Sequence, residues 1–331
     1  MQIRFLYFTI FIPYRTIIIF LIMNTFAHAI KTFNMENHKN LNAHLCMLSA
    51  CVFWGLLSPF GKDAMLHGID SINLISFRVL GTCVVFWIAS LFTKKEVVPT
   101  KDKFLFAGAA VLGLILNQCL FMIGLQLTSP ANASIETTAT PIITMLLSFI
   151  LLKEQVTRGK AIGIIIGCTG ALILIMTSVK SDSEKVGNIW GDIIVISSQI
   201  FYALFLILFT NFTKKYSIYT ANKWLFLWGT ILIWPFTLLH VVNTNFAIIP
   251  TTSWLETVYV IIFGTFLGYL IIMKALKTLS PTIISIYNYV QPIVAVLVSV
   301  FMGIGILKWS QGLAILLVFC GVWLVNKKEK N

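Results

Sequence analysis

Apolar residues run along this chain in blocks, each close to the length that carries a helix across a bilayer, about 20 residues at 1.5 Å rise. Ten such spans emerge, at about 43–60, 71–92, 104–126, 130–152, 160–178, 188–210, 221–242, 253–276, 281–303 and 310–326. The connections are short, and several carry Pro or Lys clusters: Val98-Pro99-Thr100-Lys101, Lys214-Lys215 and Ser280-Pro281. The pattern predicts an all-α, polytopic membrane protein with ten transmembrane helices. No stretch between spans is long enough for a soluble catalytic domain, and the chain ends in a short charged tail, 327–331. Residues 1–34 fit poorly. Ile3 to Met23 is apolar but interrupted by Pro13 and Arg15, no small-residue cleavage site follows, and Met23 and Met35 both suit a start. We read 1–34 as an N-terminal extension upstream of the functional protein, the alternative being an accessory or interfacial helix.

Composition agrees with the pattern. Of 331 residues 58% are hydrophobic and only 11% charged, with a mean hydropathy of +0.90. A soluble domain keeps roughly a quarter of its residues charged, so this chain cannot build a water-exposed surface. The net charge of +12 does not imply nucleic acid, because Lys and Arg sit between the apolar blocks and not on one face. Taking the residues near Met35 as cytoplasmic, 17 basic residues fall in loops on that side and 4 (Lys62, Lys180, Lys185, Lys308) on the other. This is the positive-inside bias, and it places both termini in the cytoplasm of a multi-pass protein of the bacterial inner membrane. Six cysteines lie singly in apolar spans and read as small buried hydrophobes. The histidines have no metal-ligand spacing, and no cofactor is expected.

The chain also matches itself at an offset of 151 residues. Gly113 matches Gly264, Ser129-Pro130 matches Ser280-Pro281, Ser134-Ile135 matches Ser285-Ile286, Pro141-Ile142 matches Pro292-Ile293, and Gly170 matches Gly321. An ordered series at constant offset indicates duplication. Each half, 41–178 and 188–326, holds five spans, and an odd number makes the second half enter the membrane inverted. Inverted five-helix repeats belong to secondary transporters, which alternate access around a midplane site.

The residues that carry these matches resemble the EamA family of the drug/metabolite transporter superfamily. They are Trp54-Gly55, Phe77-Arg78, Leu127-Thr128-Ser129-Pro130-Ala131-Asn132-Ala133-Ser134, Pro141, Lys153-Glu154, Gly163 and Gly170, with Leu279-Ser280-Pro281, Pro292 and Gly321 in the second half. The likeness covers about 41–326. It implies ten helices, cytoplasmic termini, and export or exchange of amino acids or other metabolites. One position departs: the acidic residue expected between the last two spans is Gly305, opposite Glu154.

Candidate chemistry lies inside the spans. Pro141 and Pro292 each fall about twelve residues into a span, which predicts prolines near the midplane that free the carbonyls of Thr137 and Asn288. Glu136, Thr137, Thr140, Thr144 and Ser148 form one polar stripe, and Ser285, Asn288, Gln291, Ala295 and Ser299 form another. Such stripes face a cavity or another helix. Arg78 and Glu136 are charges at equal expected depth, close to 10 Å by helical rise, so we expect them to be partners. They would bind a charged substrate, carry a coupling proton, or lock two helices. Trp54, Asn117, Gln118, Tyr202, Tyr269 and Tyr289 could add amide and aromatic contacts to the cavity or simply pack. Gly159, Gly163, Gly167 and Ala171 form a small-residue ridge that suits packing within the half or a homodimer face. The expected partners are the lipid bilayer, a small-molecule substrate, and a coupling proton or exchanged solute. No nucleotide-binding loop is present. An intramembrane enzyme would need a metal-ligand or nucleophile–base cluster, and none stands out; a non-transporting scaffold is the other alternative.

Overall fold

The computed structural model describes residues 39–128, 133, 136–178, 189–294 and 309–326. The expected extension 1–34, the tail 327–331, Ser129-Pro130 to Asn132, Ser134-Ile135, Ala295, Ser299 and Gly305 lie outside the described residues. The chain divides into residues 1–42 and a compact unit, 43–331, which holds everything that follows.

Among the described residues the ten main helices are α1 Lys39–Leu66, α2 Ser71–Leu91, α3 Thr100–Leu127, α4 Thr140–Leu152, α5 Arg158–Ser178, α6 Ile189–Thr213, α7 Ile218–Asn243, α8 Thr251–Leu276, α9 beginning at Pro281–Ile286 and described to 294, and α10 Trp309–Asn326. Among the described residues six of them (α1, α2, α3, α6, α7, α8) are long and apolar enough to cross a membrane. Large side chains such as Phe92, Trp190, Phe236, Leu239 and Trp309 point outward, as a lipid-facing surface requires. Cys320 is exposed on the same kind of surface, against the expectation that every cysteine is buried.

Local chemistry sets the helix ends. Asp70 caps α2 by accepting from the Asn73 N–H, Ser217 caps α7 through Thr220, and Ser280 caps α9 through Ile283, with Pro281 in the first turn. The α2, α5 and α3 helices of the first half pack on α7, α10 and α6 of the second. The crossing of α5 and α10 is tight because it is made of glycine: a Cβ on Gly163 would come 2.9 Å from the Gly321 carbonyl oxygen, and one on Gly321 would come 2.6 Å from that of Gly163. The small-residue ridge therefore serves packing between the halves.

Helix α4 corrects one expectation. Pro141 is not the mid-helix kink of a continuous span. Residues 136–137 are helical, 138–139 turn, and a new helix starts at Thr140, so Pro141 occupies a first turn where its missing N–H costs nothing. The Thr140 hydroxyl donates to the Thr137 carbonyl at 2.7 Å, satisfying the group that the proline cannot. In the other half, α9 tightens into a 3-10 turn at Tyr287–Tyr289, just before Pro292. Both proline spans are thus irregular, α4 by a break and α9 by a local tightening.

A second paired irregularity lies in α3 and α8. Each contains a π-helical segment, Val111–Cys119 and Val260–Leu267, and the 151-residue offset superposes most of one on the other. Such segments are rare and leave backbone carbonyls available to side chains.

Candidate functional site

Those carbonyls organise the centre of the molecule. The Gly113 carbonyl in the α3 segment accepts from the Tyr269 hydroxyl at 2.8 Å. The repeat-matched Gly264 carbonyl in α8 accepts from Trp54 Nε1 at 3.0 Å. Neither glycine has room for a side chain: a Cβ at Gly113 would meet the Phe205 ring at 2.7 Å, and one at Gly264 would meet Leu57 at 2.6 Å. Trp54 and Phe205 themselves stand 151 positions apart. The contact of Trp54 with Gly264 is therefore repeated, halves exchanged, as Phe205 against Gly113.

Between these contacts is a cavity of about 80 Å³, lined by Trp54, Leu57, Arg78, Asn117, Gln118, Phe121 and Thr137 from the first half and Gln199, Tyr202, Tyr269, Asn288 and Gln291 from the second. Its wall is aromatic on one part and amide-rich on another. Asn117 Nδ2 donates to the Ser198 carbonyl at 3.0 Å, and Gln291 Nε2 donates to Asn288 Oδ1 at 3.2 Å. Gln199 Oε1 lies 2.8 Å from Thr140 Oγ1, sharing that hydroxyl's one hydrogen with the Thr137 carbonyl, and its amide nitrogen donates to Ser198 Oγ at 2.9 Å. Trp54 stands edge-on to Tyr202.

Arg78 supplies the charge. It is only 4% exposed, and its Nε donates to Thr265 Oγ1 at 2.6 Å. The Thr265 hydroxyl donates onward to the Val260 carbonyl, the i−5 partner that the π segment brings into reach. Among the described residues no carboxylate forms an ion pair with this guanidinium. A buried cation of this kind is expensive without an anion, and the cavity is where an anion can reach it.

The expected pairing of Arg78 with Glu136 does not occur. Equal depth along two helices fixes height but not the direction around each axis: Arg78 is held by Thr265, and Glu136, 7% exposed, does not line the cavity. Other expected cavity residues also lie outside the lining. Thr140 is buried between Thr137 and Gln199. Ser285 donates to the Thr282 carbonyl, Pro141 lies in the first turn of α4, and neither it nor Pro292 lines the cavity. Tyr289 is fully buried against Gly167 and donates to the Ile164 carbonyl, so it packs on α5. Leu57, Phe121 and Gln199 also line the cavity and were missed by the pattern analysis. Gln199 had a usable signal, a lone amide in the middle of an apolar span.

Comparison with known proteins decides the family, because the EamA-like transporter family matches residues 41–176 and again 189–327. The chain belongs to the EamA-like transporter family. It is a multi-pass membrane transporter with two EamA repeats, not an enzyme. Its relatives in the family include the uncharacterized transporter YyaM of Bacillus subtilis (strain 168), 23% identical over 86% of this chain and 93% of that one. The uncharacterized inner membrane transporter YedA of Escherichia coli (strain K12) is 24% identical over 66% of this chain and 70% of its own. A crystal structure shares the fold of this chain with a TM-score of 0.67 at 15% identity, covering 86% of this chain and 96% of that one. The EamA motif residues Trp54 and Arg78 both line the cavity, while Lys153 takes the left-handed conformation (φ 53°) that ends α4, ahead of Glu154, which accepts from Thr282.

Proposed function

We propose that this EamA chain is a secondary transporter that exports or exchanges small metabolites, amino acids or related compounds, by alternating access across the bacterial inner membrane. The cavity is its substrate site, with Arg78 receiving an anionic group of the substrate and Trp54, Tyr202, Tyr269 and the amides of Asn117, Gln118, Gln199, Asn288 and Gln291 enclosing the remainder. The observation that carries this reading is a buried guanidinium, without a carboxylate partner among the described residues, in a cavity walled by both halves. Two halves that share a site can expose it alternately to either face by exchanging their conformations.

The direct test is counterflow. Proteoliposomes loaded with an unlabelled amino-acid pool should take up labelled amino acids transiently, and Arg78→Gln should abolish this uptake while the protein remains monodisperse. Wild-type protein that exchanges neither amino acids nor the metabolites that accumulate outside an overexpressing strain would overturn the reading.

A further inference from the structure

At the end of the bundle where α2 finishes and α3 and α7 begin, residues 94–103 and 214–223 carry seven lysines against two acids, so positive charge is in excess there. With the orientation expected from the loop charges, this end lies at the cytoplasmic leaflet. Both acids are engaged: Glu96 accepts the Ser217 N–H at 2.9 Å, and Asp102 accepts from the Tyr216 hydroxyl. Two of the lysines share one pair of indoles. Lys103 Nζ stands 5.0 Å from the centre of the Trp224 ring, and Lys223 Nζ stands 5.2 Å from that of Trp87. The two rings meet edge to face with their centres 6.0 Å apart. The first half supplies Lys103 and Trp87 and the second Lys223 and Trp224, so the cluster spans the seam between the halves.

A ring face attracts an ammonium group without cancelling its charge or using up its N–H donors, whereas a carboxylate does both. Among the described residues neither Lys103 nor Lys223 forms an ion pair. Each ammonium is therefore held in place on a half-buried side chain and is still able to bind an anion. The surroundings narrow the kind of anion. Leu91, one turn beyond Trp87, and Phe104 and Leu105, next to Lys103, are exposed and present an apolar surface to lipid. A soluble anion gains nothing from such neighbours. A phospholipid joins a phosphate to acyl chains and matches both.

We propose that Lys103, Lys223, Trp87 and Trp224 form a binding site for an acidic phospholipid of the surrounding bilayer. Its phosphate oxygens accept hydrogen bonds from the two ammonium groups, the indoles hold those groups in position, and the acyl chains lie along Leu91, Phe104 and Leu105. Such a lipid ties α3 of the first half to α7 of the second and offsets the excess positive charge at that end. The site is separate from the cavity, and no part of it depends on the transporter reading.

The test titrates the purified full-length protein, in neutral detergent, with dioleoylphosphatidylglycerol, and reads bound lipid by native mass spectrometry and stability by melting temperature. The acidic lipid should bind and raise the melting temperature. Dioleoylphosphatidylcholine, with the same chains and no net charge, should do neither. Binding of the acidic lipid should weaken roughly fivefold in Lys103→Gln or Lys223→Gln alone and at least tenfold in the two together. Lys103→Arg with Lys223→Arg, which keeps both charges over the rings, should retain it. Replacing the exposed Lys94 and Lys95 by Gln removes the same charge away from the indoles and should change binding less than about twofold. Equal loss in the two glutamine pairs reduces the effect to diffuse attraction and overturns the site, as does equal binding of the two lipids. Glycerol phosphate that raises the melting temperature as much as the lipid overturns the lipid as the ligand. Should the Lys103 and Lys223 glutamine pair fail to fold, the single replacements, the arginine pair and the comparison of lipids still decide.

Discussion

Arg78 and Glu136 show what a single residue discloses in sequence. A charge inside an apolar block announces itself, and both residues are indeed buried. Their partners are not readable, because helical rise gives depth while packing decides direction. The consequence is testable. Arg78→Gln and Glu136→Gln should affect thermal stability independently, so that the double variant equals the sum of the two within about 0.5 kcal/mol. A coupling energy well above that, from melting of all four proteins, would restore the direct pair. At Gly167 the expectation is sharper. A Cβ there would sit 2.6 Å from the Tyr289 ring, so Gly167→Ala should destabilise the protein by about 1–3 kcal/mol through overpacking, measured as a lowered melting temperature.

Helices were the most legible elements, since length and hydropathy need no knowledge of neighbours. The irregularities inside them were only half legible. Pro141 and Pro292 marked where α4 starts afresh and where α9 tightens, but a proline pattern does not distinguish a kink from a fresh first turn. Nothing in residues 111–119 or 260–267 signals π geometry, which arises from side chains of other helices capturing the carbonyls of Gly113 and Gly264. Because Pro141 begins a helix, Pro141→Ala should change stability by less than about 1 kcal/mol, whereas Thr140→Val strands the Thr137 carbonyl and Gln199 and should cost about 1–3 kcal/mol. Equal effects in melting experiments would argue for a continuous α4. Between helices, Glu96 accepts the Ser217 N–H at the start of α7 and so ties the α2–α3 connection to it. Burial alone would raise the Glu96 carboxyl, but hydrogen bonds from Ser217 and Thr220 and the charge of Lys277 carry it below the usual carboxylate value. A lowered folded value means that its stabilisation is present above the ordinary range near about 4.3 and is lost as pH falls through the folded value. Melting temperatures of wild type and Glu96→Gln should differ at pH 7 and converge under acid.

At the scale of the whole molecule, the duplication was legible because matched glycines and prolines kept one offset, and the contacts of α1 with α8 and of α6 with α3 repeat with it. The cavity was legible in part: nine of its twelve lining residues were expected there, while Leu57, Phe121 and Gln199 were not, because no pattern supplies the azimuths of the helices that meet around it. Orientation rests on loop charge. Phosphatase and fluorescent-protein fusions after Lys330 and within the Lys94–Lys103 connection should both report cytoplasm; a periplasmic C-terminus would break the inverted arrangement. A chain starting at Met35 should insert and transport as the full chain does once expression is matched. The paired π segments carry a last consequence, about chain length. A π segment takes up a residue more than the α-helix that would span the same turns, so deleting one residue between 111 and 119 would let α3 close into regular α geometry with its ends near their present register, while the Gly113 carbonyl would turn back into the helix and lose Tyr269. The lost residue need not touch substrate at all. In α3 and α8 the number of residues is under tighter constraint than the identity of most of them, and a gap of one in either helix should silence a protein that tolerates many apolar exchanges in the same stretch.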